Sequence, residues 1–375
     1  MTVAQQSLQG LDDLLKLDFD FSPDLFLLFI SPDIDWTEPA LDTLTENYPN
    51  ALITGCSTSG EITGEHVSDA TIALTAIAFE HTRVKLAIEP IQKSPEHSLA
   101  SGRSLAEQLF EEELKHVFVF SEGLDVNGGA LVDGLHEVLG NKASVTGGLA
   151  GDGANFKETF VIANGTKLSK SVVGVGLYGS SLQVGFGSQG GWDSFGVDRL
   201  VTKSEDNVLY ELDGEPALKL YKTFLGDKAD ELPSSGLLFP LSMRVNEEDQ
   251  PVVRTILGID EEAQSLTFAG NIYEGSYVRL MKANVDRLID GAEMSAEISK
   301  QAAGQADRLA LLVSCVGRRL VLKQLVEEEV EVVREVLGPE TATTGFYSYG
   351  EIAPFDRFSA CSLHNQTMTI TTLSE

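Results

Sequence analysis

Three segments of this chain repeat one pattern: an apolar run ending in serine, a helical stretch, and a short run closing in Thr-Gly. The first runs from Phe26 to Ser31, through a helix near Glu38–Asn47, to Ala51–Gly55. The second runs from Val117 to Ser121, through Gly129–Leu139, to Ala143–Gly147. The third runs from Leu309 to Ser314, through Leu320–Leu337, to Thr341–Gly345. A strand–helix–strand unit is a parallel pair joined by a right-handed crossover, so both strands end on one edge of their sheet. In open α/β sheets ligands bind outside that edge. The loops that follow the Thr-Gly pairs therefore become the first place to look for a site.

Those loops are themselves related. Gly55-Cys-Ser-Thr-Ser-Gly-Glu-Ile62 and Gly345-Phe-Tyr-Ser-Tyr-Gly-Glu-Ile352 share the form GxxxxGEI, and Gly147-Gly-Leu-Ala-Gly-Asp-Gly153 is a shorter variant with its own acid, Asp152. Between the modules the period changes to two. Thr71–Phe79 and Val84–Ile91 read as a strand pair. Thr159–Asn164, Ser171–Tyr178 and Gln183–Ser188 read as an antiparallel meander turning at Asn164-Gly165 and Gly179-Ser180. A helix is expected near Asn207–Thr223. Strands at Ser265–Phe268 and Ser276–Met281 should flank a turn and lead into a helix around Val285–Lys300. The predicted fold is α/β: mixed β-sheets with outer helices, built from repeated β-α-β modules in two related halves. Residues 1–195 would hold two modules; residues 196–375 would hold one intact module and a diverged one over roughly 200–300.

Charge and cysteine usage narrow the function classes. The 375 residues carry 27 Lys+Arg against 57 Asp+Glu, a formal charge of −30. Binding a phosphate backbone needs net positive charge, so a nucleic-acid partner is not expected, and docking on anionic lipid is equally disfavoured. Hydrophobic residues at 42% and charged residues at 22% supply a core for a soluble chain. Cys56, Cys315 and Cys361 form no disulfide framework, and the N-terminal stretch lacks the pattern of a signal peptide. These features predict a cytoplasmic protein without a membrane span.

No high-specificity catalytic signature is present: no Walker A loop, no HExxH and no GxSxG elbow. The candidate residues sit around the third module. Cys315 opens the short loop Cys315-Val-Gly-Arg-Arg319 before a helix, where helix N–H groups and Arg318 could hold a carboxylate or phosphate. The competing account is a buried cysteine with Arg318 paired to an acid such as Glu351. Tyr347, Tyr349 and Glu351 alternate along the third loop; two aromatic faces and an acid suit a small amphipathic ligand. Glu61, at the matching position of the first loop, points instead to a structural role for both acids. His364 and Asn365 lie in Cys361–Ile370, where alternation would place His364, Gln366 and Met368 on one strand face. An enzyme is a further reading, with Cys315 as nucleophile, His364 as base and Glu351 or Asn365 as orienter of an acyl-transfer site.

The motifs GCSTSGEI, GGLAGDG, SCVGRR, GFYSYGEI and LHNQTMT, in this order, resemble the FIST domain with its N- and C-terminal halves, over roughly residues 25–372. The resemblance implies a non-catalytic sensory protein of signal transduction that binds a small molecule such as an amino acid. Some stand-alone members of the family are haem-binding nitric-oxide sensors that control a partner histidine kinase. On that version of the resemblance the cofactor is haem, its axial ligand His364, and the partner a histidine kinase. On the generic version Cys315, Arg318, Tyr347, Tyr349, Glu351 and Asn365 hold a small amino acid or related metabolite.

Overall fold

In each module the two parallel strands meet at the Thr-Gly glycine. The strand pairs are Leu25–Ile30 with Leu52–Ser57, Leu114–Ser121 with Ser144–Leu149, and Leu309–Cys315 with Ala342–Ser348. Their registers set Leu28 beside Gly55, Val119 beside Gly147, and Leu312 beside Gly345. A Cβ on those glycines would lie 1.8, 1.9 and 1.9 Å from the carbonyl oxygen of the facing residue. Only a residue without a side chain permits that approach. The repeated dipeptide is thus a packing requirement of the parallel pair.

The computed structural model describes residues 1–232, 234–246, 248, 251–303, 308–354 and 360–375. Around each parallel pair the same six-stranded sheet is assembled. An antiparallel strand closes one side (Ile72–Ala78, Ser171–Tyr178, Met368–Ser374), and the strand opening each repeat pairs with it (Thr2–Leu8, Arg83–Pro90, Gln183–Gln189). The other side is filled by a hairpin lent from another repeat. Glu61–Thr63 and His66–Ser68 from the first join the third; Val161–Ala163 and Thr166–Leu168 from the second join the first. Gly350–Pro354 and Cys361–His364 from the third join the second. The chain is therefore three repeats, 2–78, 83–178 and 183–374, interlocked cyclically.

Each buried strand faces two layers, which is why it reads as a continuous apolar run. Leu25, Leu27 and Phe29 meet Phe118, Phe120, Val313 and Phe346 in the shared core between the sheets. Phe26, Leu28 and Ile30 face Leu41 and Leu44 of the outer helix Thr37–Asn47. The helices Pro95–Leu109 and Gly128–Leu139 cover the second sheet, with N-caps from Ser94 and Asn127. Val285–Ala303 and Glu328–Leu337 cover the third. No described helix is long and apolar enough to cross a membrane.

Three sequence expectations change. Thr71–Phe79 and Val84–Ile91 do form strands, but Ile72–Ala78 and Arg83–Pro90 enter different sheets, as do Ser171–Tyr178 and Gln183–Gln189. These short connections are corners between repeats, not hairpin turns. The diverged module is the second correction: the described residues of 192–283 carry no parallel pair and form their own eight-stranded antiparallel sheet with a separate core. They are an insertion in the third repeat, and residue 195 falls inside the strand Trp192–Glu205. Within it, Val208–Leu212 is a strand, and the expected helix is confined to Ala217–Leu225 after Pro216. The third correction concerns Cys361–Ile370. The strand stops at His364, the chain turns at Gln366 (φ +65°), and Met368 begins a strand of another sheet. His364, Gln366 and Met368 therefore do not share one strand face.

Candidate functional site

The three Thr-Gly loops converge, and they do so by one repeated hydrogen bond. Ser59 N donates to Tyr347 O at 2.8 Å, Gly151 N to Ser57 O at 3.0 Å, and Tyr349 N to Leu149 O at 3.1 Å. Each links the fourth residue after one module's glycine to the second residue after another's. The loops form a closed, buried ring whose acids hold it together. Glu351 accepts from the Ser348 hydroxyl at 2.7 Å and from Thr367 N and its hydroxyl at 3.1 and 3.0 Å. Glu61 accepts from the Thr58 hydroxyl and from Thr71 N and its hydroxyl at 3.3 and 2.8 Å. Equivalent acids thus tie the first and third loops to the start of their repeats' last strands.

Both carboxyls pay for their burial in pKa. Burial pushes Glu61 up to about 7 and Glu351 to about 8, against a hydroxyl and amide set that pulls the other way. A folded pKa above the unfolded value of 4.5 means the fold favours the protonated acid. Each group's stabilisation is complete below about pH 4.5 and is lost as pH rises through 7–8. His116 and His364 act oppositely: burial lowers them to about 3 and 4, so their contribution is lost as pH falls below 6.5. Chemical denaturation should show wild-type stability falling from pH 6.5 to 8.5. Glu351→Gln should flatten that fall, by at most ~1.4 kcal/mol per pH unit. Parallel curves for the two proteins would contradict the assignment.

The sequence-predicted residues separate into two groups. Arg318 is fully buried, but its partner is Glu329, not Glu351. Nε and Nη2 donate to Glu329 Oε2 at 3.1 and 2.8 Å, Nη1 to Gly190 O at 2.8 Å, and Nη2 to Leu288 O at 2.6 Å. The Tyr347 hydroxyl and Ser314 complete Glu329 at 2.6 and 3.1 Å. Arg318 and Tyr347 thus hydrogen-bond Glu329, while Glu351 is held by Ser348 and Thr367. Cys315 is buried, and burial pushes its thiol well up, opposite to what a nucleophile needs. His364 is 1% exposed with Nε2 at 2.8 Å from Ala353 O. That arrangement does not fit an axial haem ligand, whose ring nitrogen must face the iron. Asn365 differs: it is 1% exposed, and neither amide atom has a partner among the described residues.

Tyr349 belongs to the second group, because it opens onto a cleft. The cleft runs between the three-repeat body and the inserted sheet in two lobes. One, of about 630 Å³, is lined by Glu122–Val126, Phe156–Thr159 and Tyr349 on one side and by Leu257–Ile259 and Thr267–Ala269 on the other. The second, of about 450 Å³, is bounded by Leu237, Leu238, Ile256 and Leu320. Phe156 and Leu257 belong to both lobes. Asp152 shapes the body side: its carboxylate accepts from Phe156, Lys157 and Glu158 N at 2.8–2.9 Å and from the Tyr349 hydroxyl.

Arg254, which sequence reasoning missed, ties the insertion to the body. Nε donates to Asn271 O at 3.1 Å and Nη1 to Leu363 O at 3.2 Å. It is 7% exposed, has no carboxylate partner among the described residues, and burial lowers it to about 10. No motif marks it; it lies in the short strand Val252–Arg254.

An interlocked three-repeat α/β body with an inserted antiparallel domain and a cleft between them is a binding architecture. The family follows from sequence comparison. The FIST N domain model matches residues 24–215 and the FIST C domain model residues 217–354, and the chain belongs to the FIST family. FIST domains are small-ligand-sensing domains of signalling proteins. An uncharacterized protein of Methanocaldococcus jannaschii is 22% identical over 357 residues, covering 84% of this chain and 67% of that one. A chorismatase crystal structure aligns over 100% of this chain and 98% of its own, at 8% identity and a TM-score of 0.34.

Proposed function

We propose that this protein is a cytoplasmic, non-catalytic sensor that captures a small metabolite in the cleft between the repeat body and the insertion. The observation that carries the reading is the cleft's construction: its two lobes share Phe156 from the body and Leu257 from the insertion. A ligand touching both walls has different affinities for open and closed arrangements, which is what signalling requires. The event would pass to a separate protein by contact, with a histidine kinase as the partner class the family resemblance offers. An amino acid or related metabolite fits this cleft. The haem-based nitric-oxide version would require His364 to exchange its bond to Ala353 O for iron.

A thermal-shift screen of amino acids and central metabolites tests this. A true ligand at 100 times its Kd should stabilise by about 2.7 kcal/mol. Leu257→Glu, at a position 42% exposed, should leave the Tm without ligand unchanged and abolish the shift. A shift that survives this substitution would place the ligand elsewhere.

A further inference from the structure

Phe156 holds a conformation that aromatic residues rarely adopt, with φ at +52°. Such strain persists only where surroundings impose it, and it concentrates at ligand sites. Here the surroundings do impose it. Phe156 N donates to Asp152 Oδ1 at 2.8 Å and to the Tyr349 hydroxyl at 3.3 Å. The Phe156 ring stacks on Tyr349 with centroids 4.5 Å apart and planes 11° from parallel. The result is an aromatic platform, 37% exposed, at the junction of the two lobes.

The lobes differ in chemistry. One is walled by Leu237, Leu238, Ile256, Leu257 and Leu320. The other carries charge, and its acids are already engaged. Glu122 accepts from Leu124 N and Asp125 N at 2.6 and 2.7 Å; Asp125 pairs with Lys170 at 3.2 Å and Glu158 with Lys167 at 3.7 Å. Lys93 and Lys157 line the same lobe and have no ion pair among the described residues. In a chain of net charge −30 the lining of this lobe is formally neutral, Lys93, Lys157 and Lys170 balancing Glu122, Asp125 and Glu158, and Lys93 and Lys157 are the two ammonium groups not committed to a carboxylate among the described residues.

We infer that the ligand is a planar aromatic anion: its ring stacks on Phe156, its apolar edge enters the leucine-lined lobe, and its anionic group faces Lys93 and Lys157. This rests on the cleft being the ligand site and adds the ligand's chemical class. Stacking on an aromatic face and attraction to lysine ammonium groups are independent terms, so they can be removed separately.

The probe is 1-anilinonaphthalene-8-sulfonate, titrated by fluorescence against the full chain. Wild type should bind it saturably, more weakly as salt rises. Phe156→Gly should leave the protein folded, because glycine accepts positive φ and so relieves the backbone strain while giving up the stack on Tyr349, and should weaken the probe at least tenfold, about 1.4 kcal/mol. Lys157→Gln and Lys93→Gln should each weaken it severalfold and reduce its salt dependence. Hexanoate, an aliphatic anion, should not compete. Wild-type binding absent, Phe156→Gly binding unchanged, or hexanoate competing would overturn the inference. If Leu257→Glu abolishes probe binding while Phe156→Gly does not, the cleft remains the site and only the ligand class falls. If neither substitution matters, both readings fall.

Discussion

Gly147→Ala is expected to cost more than about 4 kcal/mol and to leave little soluble protein. The added Cβ would sit 1.9 Å from Val119 O, inside the parallel pair at the heart of the second repeat. Strands this deeply buried cannot separate without opening the core formed by Phe118, Phe120 and their neighbours, and losses of that size arise only from such overpacking or strain. Gly147 also has φ at +147°, so the backbone is strained for any side chain. Gly55→Ala and Gly345→Ala should behave alike, because their Cβ atoms meet the equivalent carbonyls. Gly10→Ala is the control: it has extended backbone and nothing within 4 Å, and should be nearly neutral in a urea midpoint. A stable, soluble Gly147→Ala protein would refute the account of the repeated Thr-Gly pair.

Arg318→Met should cost about 3–5 kcal/mol, the range for removing one partner of a buried ion pair. Glu329 would remain fully buried with only Ser314 and Tyr347 as donors, and Gly190 O and Leu288 O would lose theirs. Glu329→Gln should cost a comparable amount, because the guanidinium would then be the unpaired charge. The double variant should be markedly more stable than the sum of the two losses predicts, since it leaves no orphaned charge. Urea denaturation of the four proteins gives the coupling energy directly. Additive losses would mean that the pair does not act as a unit.

Period and turn chemistry made the modules legible: all three strand–helix–strand units lie within a few residues of where the sequence puts them, although the single helix expected over Leu320–Leu337 is two helices, Val316–Leu322 and Glu328–Leu337. What they could not reveal is which strand pairs with which. Glu61–Thr63, Val161–Ala163 and Gly350–Pro354 each pair with another repeat's strand, and nothing local distinguishes a hairpin kept from a hairpin lent. The insertion was hidden because its strands are short and mixed in pattern, such as Val252–Arg254. At the site, the run Glu327–Glu329 reads as a solvated helix face, yet Glu329 is the buried partner of Arg318. A charged residue of that kind is invisible until the helix's orientation is known. Tyr349 was found because it alternates with other loop residues. Phe156 was not, because its meaning lies in a dihedral angle and a neighbour 193 positions away.

The account stands on the cleft between body and insertion. A crystal structure of the full chain with the strongest ligand from the thermal-shift screen tests it most directly. The ligand should lie between Phe156 and Leu257, touching both walls. Density for it in the buried ring of Thr-Gly loops, against His364, or on the outer surface would contradict the claim.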